Sequence, residues 1–459
     1  MVHMFSFDGL HIVNDTASGA VHVFDDVSYD IINEYARWKE TNQTKDKDIF
    51  FDHIKNLFAD KYSEKDIYEA WQEIKHLEDE GLLFSQDDYE QYASGLHEYR
   101  GIKALCLHVS HDCNMRCKYC FASTGDFGTG RLLMDEDTAK SAIDFLVENS
   151  AGRRNLEVDF FGGEPLMNFD VVKKTVEYAR SIEAKKNKHF RFTITTNALA
   201  LTDEKMKYIN ENFDNVVLSI DGRKEINDQM RKLPDGKGTY DFILDKIKKM
   251  VMLRGDKSYY VRGTFTHHNL DFAKDVLHLA GEGFKNISVE PVVAPKDMDY
   301  AITDSDLTVI MKEYEILTRE YIKRREEGKG FNFFHFMIDL DQGPCIRRRL
   351  TGCGAGYDYI AVTPEGNIYP CHQFVGIDGF LMGNVKSKSL NREIANKFMN
   401  SNIYTKDECS KCWARYYCSG GCAANAYNFN GDINKPPLTG CKMAKKRIEC
   451  SLWISAKER

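Results

Sequence analysis

The sequence predicts an α/β protein in three parts: a strand–helix centre over residues 96–330, a small module over 1–95 ahead of it, and a cysteine-rich region over 331–459 behind it. Three observations predict this. Between about residue 100 and residue 330, six short apolar runs alternate with longer segments of helical periodicity, as parallel strands joined by crossover helices do. None of the chain's 13 cysteines falls in the first 95 residues. Eight of them crowd into residues 345–441 among closely spaced glycines.

At 459 residues the chain has room for two or three domains. Its 42% hydrophobic and 29% charged residues are those of an ordinary soluble protein. The net charge of −8 is spread widely, which argues against a nucleic-acid partner. The opening Met1-Val-His-Met-Phe-Ser-Phe-Asp has no basic or apolar signal region, and no apolar stretch approaches bilayer length, so no membrane partner is expected. The expected setting is cytoplasmic, where thiols stay reduced and clustered cysteines bind metal.

The first module opens with three β-like runs, His3–Phe7, Leu10–Asn14 and Ala20–Phe24, separated by Asp8-Gly9 and Ser18-Gly19 turns. Helical patterns follow over Tyr29–Trp38, Asp46–Ala59 and Glu64–Leu82. In the last, Ile67, Ala70, Trp71, Ile74 and Leu77 mark one apolar face. Three strands and three helices read as a winged-helix-like unit. Its third helix carries Glu64, Asp66, Glu69, Glu73, Glu78, Asp79 and Glu80, a poor face for phosphates. An edge strand of such a unit is suited to docking a peptide by strand addition.

The central strands are expected at Ile102–Val109, Leu156–Phe161, Phe190–Thr196, Val216–Ile220, Tyr259–Thr266 and Ile287–Val292. Helices are expected at Thr138–Asn149, Phe169–Ala184 and about Ser305–Arg325. Six such units suit a partial (β/α)6, TIM-like barrel, whose active residues gather at the C-terminal strand ends. Just past the first strand lies Cys113-Asn-Met-Arg-Cys117-Lys-Tyr-Cys120, three thiolates from one tight loop. Three thiolates on a four-iron cluster leave one iron open to a ligand. Zinc would want a fourth ligand in paired spacing, for which His111 is the available group. At later strand ends stand Gly162-Gly163-Glu164-Pro165, Thr195-Thr-Asn197 and Ser219-Ile-Asp221-Gly222, with Arg231 nine residues after Gly222. Adjacent glycines permit close backbone approach to a ligand, Glu164 accepts from an ammonium, and Arg231 offers a fork to a carboxylate. The plain readings remain beside these: a polar strand end at 195–197, a turn at Asp221-Gly222, a surface arginine. Arg262, Thr264 and Glu290 are candidate cavity residues, and Cys106 reads as a small buried hydrophobe.

These motifs together resemble the radical S-adenosylmethionine (SAM) superfamily. The resemblance implies that Cys113, Cys117 and Cys120 hold a [4Fe-4S] cluster whose open iron binds SAM and drives its reductive cleavage. It further implies that Tyr119 lies against the adenine, and that Gly162, Gly163 and Glu164 hold the amino group. Thr195, Asn197 and Ser219 are then at the ribose and Arg231 at the carboxylate. The first module, placed ahead of such a core, resembles the leader-recognition element of ribosomal peptide-modifying enzymes.

Behind the core, Cys353-x12-Gly366-x4-Cys371 is followed by Cys409-x2-Cys412-x5-Cys418-x3-Cys422, and Cys441 follows after eighteen intervening residues. Two zinc sites are one reading of this array, since CxxC is shared. The array also resembles the SPASM domain, which implies two auxiliary [4Fe-4S] clusters and hence three clusters in the chain. By that resemblance Cys409, Cys412, Cys418 and Cys441 form the second auxiliary site. Cys353, Cys371 and Cys422 form the first, whose fourth ligand is either Cys345 or absent. An absent ligand would leave an iron for a substrate thiolate, which coordination deprotonates. Cys450, in a terminal helical pattern, is expected to be a bystander.

The whole chain resembles maturases of SCIFF (six cysteines in forty-five residues) peptides, on the stretches Ala20-Val-His-Val-Phe-Asp-Asp and Tyr369-Pro-Cys-His-Gln-Phe-Val-Gly. That implies a ribosomal precursor peptide as partner, its leader bound by the first module, and an electron donor such as flavodoxin or ferredoxin. The implied product is a thioether between a cysteine sulfur and an acceptor-residue carbon. The alternative is an anaerobic sulfatase-maturase-type or carbon–carbon crosslinking enzyme. Sulfatase maturases keep an Asp after the cysteine matching Cys371, where this chain has His372. A redox-sensing transcription factor fits poorly with the acidic third helix.

Overall fold

The computed structural model describes residues 1–41, 46–93, 95, 100–340 and 344–458. Its first unit is a three-stranded antiparallel sheet of β1 (Val2–Phe7), β2 (Leu10–Asp15) and β3 (Val21–Phe24), in that order. On it pack α1 (Asp26–Thr41), α2 (Lys47–Leu57) and α3 (Glu64–Asp79), and a short α4 (Glu90–Ala93) follows. Trp71, Phe50, Ile31, Ile67 and Ile74 fill the space between them and are buried. Two helix starts are fixed by side chains: Asp46 accepts from the Asp48 and Ile49 N–H groups, and Ser63 accepts from the Asp66 N–H. Each satisfies amide groups that the first helical turn leaves unpaired.

The centre is the expected α/β alternation. It comprises β4 (Ala104–His111), a two-residue β5 (Leu132–Leu133), α5 (Glu136–Glu148), β6 (Asn155–Gly162), α6 (Phe169–Lys186), β7 (His189–Thr196), α7 (Asp203–Asn212), β8 (Asn215–Ser219), α8 (Lys224–Met230), α9 (Tyr240–Arg254), β9 (Tyr259–Phe265), α10 (Phe272–Gly281), β10 (Asn286–Pro291) and α11 (Leu307–Glu326). All six expected strands are present. On β7, Phe190, Phe192 and Ile194 are buried toward the helices, while Thr193 and Thr195 face the lumen half-exposed. That alternation is what a strand with two different faces requires.

The sheet does not stop at residue 330. Next come β11 (Asn332–Phe333), α12 (Ile346–Thr351), β12 (Tyr359–Val362), β13 (Asn367–Tyr369), β14 (Gly383–Asn384), β15 (Ser389–Leu390), α13 (Arg392–Met399), α14 (Asp407–Ser410), α15 (Arg415–Cys418), α16 (Ala423–Asn430) and α17 (Leu438–Glu458). β11 adds in parallel to β10, and β12 adds in parallel to the free side of β4, so that Cys106 has Asp159 on one side and Ala361 on the other. Among the described residues the sheet order is β11-β10-β9-β8-β7-β6-β4-β12-β13-β14-β15. One sheet therefore runs through the division expected at 330/331. The division expected at 95/96 falls beside residues 96–99, outside the described residues. No helix among the described residues is long and apolar enough to cross a membrane.

Candidate active site

The CxxxCxxC loop leaves the C-terminal end of β4 and is fastened on two sides. Arg116 and Lys118 donate their backbone N–H groups to the Lys232 and Met230 carbonyls at 2.6 and 2.9 Å. Gly163 N donates to the Ser110 carbonyl at 2.8 Å and Glu164 N to the Asp112 carbonyl at 2.9 Å, which stitches the GGEP turn to the loop. Gly162 has φ +126°, and a β carbon there would run into the Ser110 carbonyl, so only glycine fits. A β carbon on Gly125 would stand 2.6 Å from that of Cys113. Burial, then the Glu164 carboxylate and the neighbouring thiols, push Cys113 up to about 12; burial pushes Cys117 up to about 11, with the Arg231 guanidinium pulling the other way. Thiols placed this way stay protonated until a metal displaces the proton. His111 is not turned to them. Its Nε2 meets His108 Nδ1 at 3.1 Å and its Nδ1 meets Thr129 Oγ1 at 2.9 Å.

Glu164 is buried and accepts three hydrogen bonds, from Thr196 Oγ1 (2.7 Å), Asn197 N (2.8 Å) and Leu166 N (3.0 Å). Burial raises its carboxyl and these donors oppose that. Asn197 Nδ2 donates to Asn114 Oδ1 at 2.8 Å and lies 3.6 Å from Cys113 Sγ. The structure thus brings Asn197 to the cysteine loop and Thr196 to Glu164, with Thr195 on the lumen side. Ser219 ends β8 opposite Arg262 of β9. Arg262 pairs with Glu290 at 2.8 Å, and Thr264 lies beside Glu290 in register.

Arg231 and Asp221 are both buried, and they face each other. Arg231 Nε approaches Asp221 Oδ1 to 3.0 Å without a hydrogen-bonding angle, so charge holds the pair. Tyr119 lies under the Arg231 guanidinium at 5.5 Å, and its hydroxyl donates to both Asp221 oxygens at 2.9 and 2.7 Å. Thr264 N completes the set at 2.9 Å. Asp221 is therefore an ion-pair partner as well as the residue before a glycine turn, which its local sequence did not reveal.

The C-terminal cysteines fall into two groups. Cys409, Cys412, Cys418 and Cys441 line one cavity of about 70 Å3 with Gly420 and Gly421. Burial, then the neighbouring thiols, raise Cys441 to about 12; burial raises Cys409 to about 11, against the Lys406 ammonium. In the other group Cys371 is raised to about 12 by burial and then by Cys422 and Cys353. Four thiols around one small cavity, and three that sense one another, are donor sets that fit iron–sulfur clusters. Cys345 stands apart, exposed at the start of α12 and lining a different cavity with Ser18, Gly19 and Tyr417. Cys106 and Cys450 are buried.

The group of Cys353, Cys371 and Cys422 approaches the barrel through His372, the residue after Cys371. Its ring lies 5.3 Å from Phe121, the residue after Cys120, and 5.0 Å from Phe161 on β6. Burial and the Arg262 guanidinium hold its imidazole down at about 4. Two adjoining cavities lie between the end of β10 and the C-terminal cysteine region. One, of about 970 Å3, is lined by Val292, Ile302, Asn425 and Asn434. Val292 and Ile302 pack with Tyr119 on the wall behind it. The other, of about 510 Å3, is lined by His335, Arg447, Cys418, Cys422 and Cys441 and shares Pro291, Asn425 and Met443 with the first.

Family models match twice: the radical SAM superfamily over residues 107–280, and the SPASM iron–sulfur cluster-binding domain over residues 353–413. A cysteine-type anaerobic sulfatase-maturating enzyme of Clostridium novyi is 23% identical, with 71% of this chain and 89% of that one covered. A radical SAM cyclopropyl synthase, TigE, of Paramaledivibacter caminithermalis is 24% identical, with 76% and 73% covered. The crystal structure of Streptococcus suis SuiB bound to precursor peptide SuiA has a TM-score of 0.52 at 16% identity, covering 93% of this chain and 95% of that one. The matched domains imply [4Fe-4S] clusters and SAM. The chain thus carries a radical SAM domain and a SPASM domain, and it is homologous to anaerobic sulfatase maturases and peptide-modifying radical SAM enzymes.

Proposed function

We propose that this chain is a peptide maturase that forms thioethers between cysteine sulfur and acceptor-residue carbons of a cysteine-rich ribosomal precursor. It is the SCIFF-type activity that its resemblance to the clostridial maturase CteB implies. The observation that carries this reading is the continuous space between the two halves. One wall backs onto Tyr119 of the CxxxCxxC loop, and the other is made by Cys418, Cys422 and Cys441. Together the cavities match the size of sites that hold sizeable ligands.

Three [4Fe-4S] clusters and SAM would supply electron transfer and a carbon-centred radical, the chemistry that acid–base side chains lack. In this reading Cys113, Cys117 and Cys120 hold the first cluster. Cys353, Cys371 and Cys422 hold the first auxiliary cluster, with Cys345 left out, and Cys409, Cys412, Cys418 and Cys441 hold the second. Asn197 and Ser219 sit at the ribose, with Thr195 facing the same lumen. Gly162, Gly163 and Glu164 orient the amino group, and Arg231 turns from Asp221 to share the SAM carboxylate. Asn425 and Asn434 each bury a side-chain oxygen with no hydrogen-bond partner among the described residues, and both line the larger cavity. The neutral His372, between Phe121 and Phe161, closes the lumen against water.

The leader docks on residues 1–95. β3 is an edge strand, and Val21–Phe24 form one wall of a cavity of about 320 Å3 with Glu73 and Leu77 of α3. An extended segment there gains ladder hydrogen bonds and side-chain pockets. A flavodoxin or ferredoxin would deliver the electrons, in a cytoplasmic setting that keeps the thiols reduced.

The test is the mass of the cysteine-rich peptide encoded beside the gene, before and after anaerobic incubation with reconstituted enzyme, SAM and reductant. Loss of two hydrogens per bridge, with thiols no longer alkylatable after reduction, is the expected result. The Clostridium novyi relative supports a sulfatase-maturase-type reading equally. A product aldehyde captured by a hydrazide would select it, and a two-hydrogen loss with all thiols intact would select a carbon–carbon crosslinker.

A further inference from the structure

The N-terminal sheet sits directly on the loop that carries the second auxiliary cysteine group. His3, on β1, lies flat on Trp413, the residue after Cys412, with ring centroids 3.6 Å apart and planes 3° from parallel. Its Nε2 is 3.0 Å from Glu449 Oε1 on α17, the helix that carries Cys441 near its start. Tyr417, the residue before Cys418, donates its hydroxyl to Asn14 Oδ1 on β2 at 2.8 Å. Phe5 of β1 and Val21 of β3 share one apolar cluster with Trp413, Leu452 and the side chains of Cys412 and Cys418.

The same wall has a second face. Val21 and Leu340, which touch the cluster containing Cys412 and Cys418, also line the groove along β3. Ser455 and Ala456 close that groove from the far end of α17. At about 1.5 Å per residue, the stretch of α17 from Cys441 to Ser455 runs roughly 20 Å from the cysteine cavity to the groove. Val21 of the edge strand and the side chains of Cys412 and Cys418 pack against the same small cluster of Trp413, Ala414, Ile448 and Leu452.

We propose that the N-terminal module forms a wall of the second auxiliary site, and that peptide docking along β3 is coupled to the oxidation state of the group held there, through Val21, Leu340 and α17. This rests on the docking and cluster readings above. A peptide in the groove removes water from the outer face of Val21 and Leu340. Iron–sulfur potentials depend on solvent exposure, and a drier surrounding disfavours the more negative, reduced form. Coupling between two binding or charging events is reciprocal, so the reduced protein must hold the peptide more weakly by the same factor.

The experiment titrates the full chain, reconstituted anaerobically, with a fluorescently labelled synthetic peptide spanning the leader of the precursor encoded beside the gene. It is run once on the oxidised protein and once after dithionite. The reduced form is expected to bind about fivefold or more weakly, at the low end of ordinary couplings. The ratio should fall toward one in Cys441→Ser and in His3→Ala, and persist in His3→Phe, which keeps a flat ring on Trp413. Equal binding by both wild-type forms overturns the coupling while leaving docking intact. An undiminished ratio in Cys441→Ser or His3→Ala overturns the route through this wall. Absence of binding in either form overturns the docking reading, and the coupling falls with it.

Discussion

Replacing Arg231 with Met tests the buried pair at the mouth of the barrel, where stability meets the SAM contact proposed for Arg231. Arg231 and Asp221 are 8% and 1% exposed, so neither charge has bulk water to fall back on. Without the guanidinium, Asp221 keeps the Tyr119 hydroxyl and the Thr264 N–H but loses its counter-charge. Breaking a buried pair from one side costs about 3–5 kcal/mol, whereas removing both charges is near neutral. Arg231→Met alone should therefore destabilise the chain by about that much, and adding Asp221→Asn should restore most of it. The assay is denaturant unfolding of the three variants and the wild type, read by tryptophan fluorescence, alongside equilibrium dialysis of SAM. SAM binding should stay weak in the double variant although its stability returns, because the carboxylate fork is gone. An Arg231→Met chain as stable as the wild type would refute the charge pairing. A double variant that binds SAM normally would refute the role given to Arg231.

Three further outcomes are expected. Burial raises the Asp159 carboxyl to about 6 from an ordinary 3.8, so the folded chain favours the protonated form and loses about 3 kcal/mol, at roughly 1.4 kcal/mol per pH unit, as pH rises between those values; Asp159→Asn should thus be more stable than wild type at pH 7.5 and near parity at pH 4, and a flat difference would contradict the burial. Cys117→Ala should release no 5′-deoxyadenosine from SAM under reductant while retaining its far-ultraviolet circular dichroism; release would move the first cluster elsewhere. Cys345→Ser should leave iron per chain unchanged, whereas Cys441→Ser should lower it by about one cluster's worth; equal losses would make Cys345 a ligand.

Much of this was legible in the sequence because its signals are local. Strand–helix alternation, the apolar face of Ile67, Ala70, Trp71 and Ile74, and the cysteine spacings each act over a few residues. Thr196 was not told apart from Thr195 and Asn197, although Phe190, Phe192 and Ile194 already set the buried face of β7 and Thr196 continues it. The pairing of β12 with β4 was not legible, because a four-residue strand about 250 residues away carries no mark of its partner. Asp221 was hidden because Asp-Gly reads as a turn whether or not an arginine stands over it. The contact of His3 with Trp413 joins two aromatic residues that no periodicity connects.

The two auxiliary groups share a single turn, and this has an electrostatic consequence. Cys418 lines the cavity of one group and Cys422 belongs to the other, so the Ser419-Gly420-Gly421 segment between them is common to both. Lys406 is buried beside it, its Nζ donating to the Gly420 carbonyl at 2.9 Å, and a β carbon on Gly420 would meet that nitrogen at 3.2 Å. Burial pulls the ammonium down, while Cys409 and Cys418 from one group and Cys422 and Cys353 from the other act to hold it charged. The Lys406 carbonyl also accepts from Cys409 N at 2.9 Å, which fixes that cysteine's turn to the same residue. Thiolates packed this closely repel one another, and a low-dielectric surrounding magnifies the repulsion. A fixed cation between the groups offsets both at once, and glycine at 420 is what lets it come close enough to do so.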